Sequence, residues 1–182
     1  NGINIYRSLL IPRGSGSNIM LAISWISSVF GNLLASLFIL KNRFDLIFVF
    51  GPSPFTICLP AIFIKKIKKI PICFWVLDLW PESIKAAGNI NSKLIYFFAL
   101  KITEFIYKHS DKILVSSEGF IQSIINKGVP KHKIIFFPQW AESIFNPIVT
   151  TKLKYKKLLP VGFIVMFAGN IGEAQDFENI LN

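Results

Sequence analysis

Apolar residues fall along this chain in short, nearly unbroken runs, separated by longer stretches in which they recur three and four positions apart. The runs at 45–50 (DLIFVF), 72–77 (ICFWVL), 112–115 (KILV) and 133–137 (KIIFF) have the length and the β-branched and aromatic content of buried strands. Residues 3–6 read as a further short strand and 163–168 (FIVMFA) as a last one. Helical spacing occupies 18–40 and 55–69. It returns after Asn91 or Ser92, either of which is a suitable cap, where Leu94, Ile95, Phe98, Ile102, Phe105 and Ile106 share one side. A shorter helix, capped by Ser116 or Ser117, stops at Gly128 with Pro130 just beyond.

Strands followed each time by a helix require a parallel sheet, and strands apolar on both sides require cover on both faces. The chain therefore reads as an α/β protein with a Rossmann-like, doubly wound parallel sheet over residues 1–145. The rhythm breaks at 146–160, where Pro147 and the run Lys152, Lys154, Lys156, Lys157 read as a linker. Residues 161–182 then read as the first strand, glycine turn and helix of a second, similar domain. The chain begins at Asn1 and stops as a periodic segment opens, so it reads as a fragment.

Composition narrows the picture. Of 182 residues, 52% are hydrophobic and 16% charged, which excludes a disordered chain. The net charge is +10, and before Pro71 the only acid is Asp45, set against eight Lys and Arg side chains. Such a half is drawn to anionic partners. No nucleic-acid motif accompanies the charge, so a membrane surface or a phosphorylated ligand stands ahead of nucleic acid. Lys65, Lys66, Lys68 and Lys69 end a helix, either as a solvated terminus with cations well placed on the dipole or as an attraction site for anionic lipid. Residues 18–40 carry no charged side chain and are long enough for a membrane span. Their serines, the interruption at Gly31 and the closeness of the next strand favour instead a helix folded back on the sheet, with another face at the bilayer interface. Cys58 and Cys73 lie inside apolar runs and read as small buried hydrophobes of a reducing cytoplasm.

Ligands of open parallel sheets bind at the carboxyl ends of the strands. Those positions here are 51–54, 78–83, 116–118 and 139–142. Asp78 closes the second strand and reads either as a turn cap beside Pro81 or as a functional carboxylate. Trp75, Trp80 and Trp140 read as core or cleft wall before stacking platforms. The stretch FAGNIGEAQDF (167–177) is a phosphate candidate, because a strand, a glycine turn and a helix start present amide N–H groups to an anion. A plain tight turn capped by Asp176 is the alternative. His109 and His132 fall outside these loops, and no HExxH, CxxC or GxSxG sequence occurs.

Taken together, FWVLDLWPES, ILVSSEGF, GVPKHKIIFFPQWAE and VMFAGNIGEAQDFENIL resemble, in this order and spacing, the GT-B glycosyltransferases of family 4. The nearest group is the bacterial O-antigen or capsule L-fucosamine transferases, and the similarity runs from about Pro12 to the last residue. The resemblance implies two facing Rossmann-like domains and retaining, metal-independent transfer from a nucleotide sugar, such as a UDP-linked amino sugar. The acceptor it implies is a saccharide on an undecaprenyl diphosphate lipid, at the cytoplasmic face of the cell membrane. It places Asp78 in the catalytic loop, orienting the acceptor hydroxyl or stabilising charge, with Glu82 supporting it. It sets Arg13, Gly14, Gly51, Ser53, Trp80, Ser116 and Glu142 around the acceptor cleft, and Gly169, Asn170 and Gly172 at the donor phosphates. Two departures stand out: Gln139 replaces the usual Asn after Pro138, and the helix after Ser17 lacks an arginine near its start. With the first strand and most of the donor domain outside it, the fragment is expected to be inactive alone. A non-catalytic membrane scaffold of the same fold and a GT-B nucleotide-sugar epimerase are the competing readings.

Overall fold

A computed structural model of the chain describes residues 2–14, 17–39, 43–86, 92–146, 159–169, 171 and 175–181. The chain forms two compact units, Asn1–Pro138 and Gln139–Asn182.

The first unit runs α1 (Asn18–Ile39), β1 (Ile47–Gly51), α2 (Cys58–Lys68), β2 (Ile72–Val76), α3 (Glu82–Ala86), α4 (Lys93–His109), β3 (Lys112–Val115), α5 (Gly119–Asn126) and β4 (Ile134–Phe136). The four strands pair in chain order and all in parallel. This is the expected Rossmann-like α/β architecture, a parallel sheet flanked by helices. Right-handed crossovers between strands in sequential order carry α2, α4 and α5 to one face. The core lies there: Val49, Phe74, Val76, Ile113 and Val115 of the strands pack on Cys58, Ile62, Ala99, Ile106, Tyr107 and Ile124 of the helices. Each such aliphatic or aromatic side chain stabilises the fold by about 1.5–3 kcal/mol. On the other face Trp75 sits among Phe48, Phe50 and Phe137, with ring centroids 6.2, 5.4 and 5.1 Å away, and donates its indole N–H to the Phe137 carbonyl at 3.1 Å. Phe48 and Phe50 are half exposed there.

Local chemistry accounts for the boundaries. Ser92 caps α4 by accepting from the Ile95 amide, and Lys69 ends α2 in the left-handed region at φ 57°. A 3₁₀ turn over Phe55–Ile57 leads into α2, and another over Lys131–Lys133 shortens the expected fourth strand to Ile134–Phe136. Lys65 bonds Asp111 at 2.5 Å and the His109 carbonyl at 2.9 Å, while Asp111 also accepts from the Ile72 amide at 2.7 Å, tying α2 and α4 to the sheet. Burial alone would raise the Asp111 carboxyl, but Lys65 and the Ile72 amide outweigh it and hold it below its ordinary value. Lys65 is thus engaged within the fold.

Helix α1 runs unbroken through Gly31, contrary to the expected interruption. The glycine instead lets the preceding segment cross the helix: a Cβ there would meet the Leu9 carbonyl oxygen, while Ser8 donates to Asn32 and the Ile11 amide to Ser27. That segment has no strand at 3–6. By length and composition Ile19–Leu37 is apolar enough to cross a membrane. The helix packs on α2 and sets Trp25 edge-on to Trp80, 5.7 Å between centroids. Ile19, Ile23, Ile26, Phe30, Leu34 and Leu37 recur three and four apart along its exposed side.

The second unit holds one helix among its described residues, α6 (Phe177–Leu181), preceded by Asp176 at φ 50°, which receives the Asn179 amide and side chain. The expected strand at 163–168 is not formed, since a strand exists only through a pairing partner and no described residue of this unit supplies one. Most of the expected linker, 147–158, lies outside the described residues.

Gly51 carries the first test of the fold. A Cβ at this strand end would strike the Phe74 ring and lie 2.7 Å from the Trp75 carbonyl oxygen. Gly51→Ala is expected to destabilise the first unit by about 1–3 kcal/mol, the range for overpacking a core, as read by urea denaturation.

Candidate functional site

The parallel register brings Gly51, Val76, Val115 and Phe136 into one row at the carboxyl edge of the sheet. Every loop that leaves this row starts on the same side of the molecule, which is where a crevice for a ligand forms in such sheets. The Leu77 amide donates to the Gly51 carbonyl at 3.3 Å and the Ser116 amide to Val76 at 3.4 Å, extending the ladder just past the strands.

Asp78 stands exposed at the tip of β2. Its Oδ2 accepts a 2.7 Å hydrogen bond from the Ser53 hydroxyl, which comes from the loop after β1. Ser53 Oγ in turn accepts from the Trp80 indole N–H at 3.2 Å. Both loops contain a cis X-Pro bond, Ser53-Pro54 and Trp80-Pro81, one on each side of this contact. Trp80 is buried, stacked on Phe55 with centroids 4.7 Å apart. A rigid indole therefore orients a hydroxyl, and the hydroxyl orients a solvent-facing carboxylate. Among the described residues Oδ1 receives no hydrogen bond, so it is open to a donor from a ligand. Charge-assisted hydrogen bonds of this kind fix a hydroxyl group's direction as well as bind it.

Glu82 opens α3 and engages α5. Its Oε1 accepts from Ser123 at 2.7 Å and from Lys127 at 2.5 Å, and Lys127 also donates to Ser123 Oγ at 2.7 Å. Burial would raise this carboxyl, but the bonds from Lys127 and Ser123 outweigh it and leave it below its ordinary value. Glu82 thus holds the helix after the Asp78 loop against the next helix of the layer. A carboxyl depressed in the folded state contributes stability above its ordinary pKa and loses it as pH falls through the lowered value. Lys127 is only 8% exposed and Glu82 41%. Lys127→Met is expected to cost about 1–3 kcal/mol by leaving the carboxylate with Ser123 but without its cationic partner, and to flatten the acid limb of the stability profile, read by thermal melts from neutral pH downward.

The other expected residues fall as follows. Ser53 meets Asp78, Trp80 reaches it through Ser53, and the Gly51 carbonyl accepts from the Leu77 amide beside it. Ser116 lies half-buried one strand away and does not cap α5; Glu118 precedes that helix, and Ser117 accepts from the Gly119 amide at 3.3 Å. Arg13 and Gly14, the latter at φ 54°, lie exposed in the segment before α1. Glu142 and Gly169 belong to the second unit. Asn170 and Gly172 lie outside the described residues. Sequence reading missed Phe55 and Trp25, which brace Trp80, and Ser123 and Lys127, which engage Glu82. The last two lie 41 and 45 positions from Glu82, where no local pattern connects them. Among the described residues no cluster of three or more His, Cys, Asp or Glu could hold a metal ion.

The chain matches no protein-family model. Over 76 residues it is 33% identical to a protein of Escherichia coli (strain K12) assigned as the colanic acid biosynthesis glycosyl transferase WcaI, an alignment covering 39% of this chain and 19% of that relative. The chain therefore spans about a fifth of the relative's length.

Proposed function

We propose that this protein is a retaining glycosyltransferase of GT-B family 4. In this reading it moves an N-acetylated amino sugar, carried as a UDP sugar, onto a lipid-linked saccharide in the synthesis of an O-antigen, a capsule or a related surface polysaccharide. The support is the similarity to a surface-polysaccharide transferase together with one geometric observation: the exposed Asp78 carboxylate, aimed by Ser53 at the carboxyl edge of a parallel sheet. A neutral ligand hydroxyl needs such an acceptor to be oriented.

In the proposed reaction the acceptor hydroxyl donates to Asp78 Oδ1 and attacks the anomeric carbon from the face that the diphosphate leaves. The new glycosidic C–O bond forms as the bond to the diphosphate breaks, and the hydroxyl proton turns from Asp78 Oδ1 to the departing phosphate oxygen and leaves with the UDP. Asp78 orients and stabilises charge; it is not a nucleophile. Glu82 is a positioning residue for that loop, and Gly51, Trp80 and Ser116, with Arg13, Gly14 and Glu142, are assigned to the acceptor cleft. Gly169, Asn170 and Gly172 are assigned to the donor phosphates, and no metal is required. The acceptor lipid is taken to be an undecaprenyl diphosphate presented at the cytoplasmic face of the cell membrane, with the protein peripheral there.

The test is sugar transfer by the full-length protein from a UDP-linked N-acetylamino sugar to a synthetic polyprenyl-diphosphate saccharide. Formation of an extended lipid-linked product with release of UDP is expected. Interconversion of the nucleotide sugar without transfer would replace this reading by an epimerase.

A further inference from the structure

Helix α4 is apolar on two sides. Ala99, Thr103, Ile106 and Tyr107 face the core, which accounts for one. Along the opposite side Phe97, Phe98 and Phe105 follow Leu94 by three, four and eleven positions, one helical face, and the four remain between 41% and 65% exposed. Three half-exposed phenylalanines on a solvent-facing helix cannot be explained by packing within this unit, and a contiguous patch of this kind marks a surface that meets something apolar.

The charges around the patch say what that is. The ammonium of Lys66, from α2, lies 6.0 Å from the Phe105 ring centroid, and that of Lys101 lies 5.8 Å from Phe97. Helices α2 and α4 pack side by side, so these contacts knit one outer surface. Lys68, Lys69, Lys93 and Lys108 stand exposed on the same two helices. Their sole acid is Glu104, which bonds Lys101 at 2.8 Å. Rings beside ammonium groups, with almost no carboxylate, match the boundary of an anionic bilayer, where aromatic side chains enter the acyl region and lysines reach the phosphates. A second copy fits poorly, because face-to-face pairing would oppose two sets of lysines.

We propose that the outer surface of α2 and α4 is a docking face for anionic lipid, with Phe97, Phe98 and Phe105 entering the headgroup boundary and Lys66 and Lys108 meeting the phosphates. This extends the membrane part of the function proposed above and does not depend on its chemistry. The cationic end of α2 contributes through Lys66, Lys68 and Lys69, since Lys65 is held by Asp111.

The experiment is co-sedimentation of the full-length protein with vesicles of phosphatidylcholine alone and of phosphatidylcholine mixed equally with phosphatidylglycerol. The parent is expected to bind the mixed vesicles and not the neutral ones. A Phe97→Glu, Phe98→Glu chain should bind the anionic vesicles at least about tenfold more weakly, a drop expected when apolar burial is replaced by charge at an anionic surface. A Lys66→Glu, Lys108→Glu chain should lose binding as well. Equal binding by parent and variants would overturn the proposal. So would a parent that self-associates through this face in sedimentation velocity yet ignores lipid. Should the double glutamate chain fail to fold, a Phe98→Trp chain replaces it, with increased emission quenching by brominated phosphatidylglycerol expected and no change counting against the proposal. Transfer to a water-soluble acceptor should survive in the docking variants, which separates failure of this surface from failure of the catalytic reading.

Discussion

Asp78→Ala in the full-length protein is expected to lower sugar transfer by about two to three orders of magnitude, the scale on which enzymes lose rate when one preorganised electrostatic partner of the transition state is removed. The loss should fall on turnover, not on folding. Asp78 is exposed, and its one described bond is the 2.7 Å contact from Ser53, so stability should stay within about 0.5 kcal/mol of the parent, as for ordinary surface positions. Asp78→Asn separates the two roles the carboxylate is given. The amide keeps one oxygen, which can still accept from a ligand hydroxyl, while its NH2 group takes the place of the oxygen that accepts from Ser53, and the charge is gone. Activity near that of the parent would assign Asp78 to orientation, whereas activity as low as the alanine chain would assign it to charge stabilisation. Undiminished transfer by Asp78→Ala, measured at saturating donor and acceptor, would remove the residue from the mechanism.

The architecture was readable because buried parallel strands impose a pattern with few alternatives. ICFWV and KILV must be covered wherever they lie, and the helix opened by Ser92 shows its cap and its periodicity in one stretch. The strand tips followed from that: once the strands are parallel, Ser53, Asp78 and Ser116 share an edge. An apolar run does not by itself make a strand, however. Residues 163–168 are as apolar as the true strands, and 3–6 nearly so, yet neither forms one, because a strand is defined by its neighbours and not by its own composition.

What the chain could not disclose were its long-range polar contacts. Lys65 looked like one of four equivalent lysines, and only its place beside Asp111, 46 positions away, separates it from Lys66, Lys68 and Lys69. Glu82 looked like a companion of Asp78, yet its carboxylate is engaged by Ser123 and Lys127. Helix α3 was missed for a simpler reason: five residues after a proline are too few to show a period.

Trp80 joins the core to the site, and two substitutions should pull those contributions apart. Trp80→Ala removes a buried ring stacked on Phe55 and braced by Trp25, and is expected to destabilise the first unit by about 3–5 kcal/mol, the usual cost of emptying a large aromatic position. A melt or urea titration would show it, and transfer would fall with the folded population. Trp80→Phe keeps most of the ring and loses the N–H that reaches Ser53 at 3.2 Å. Its stability cost should be only about 1 kcal/mol, that of one hydrogen bond, with a small packing loss. Ser53, no longer held from behind, would present its hydroxyl to Asp78 less firmly, so turnover should drop by roughly three- to tenfold, the rate equivalent of about 1 kcal/mol, while the fold persists. If Trp80→Phe lost stability and activity in strict proportion, the indole would be a core residue only, and the chain of bonds from Trp80 through Ser53 to Asp78 would have no part in orienting the carboxylate.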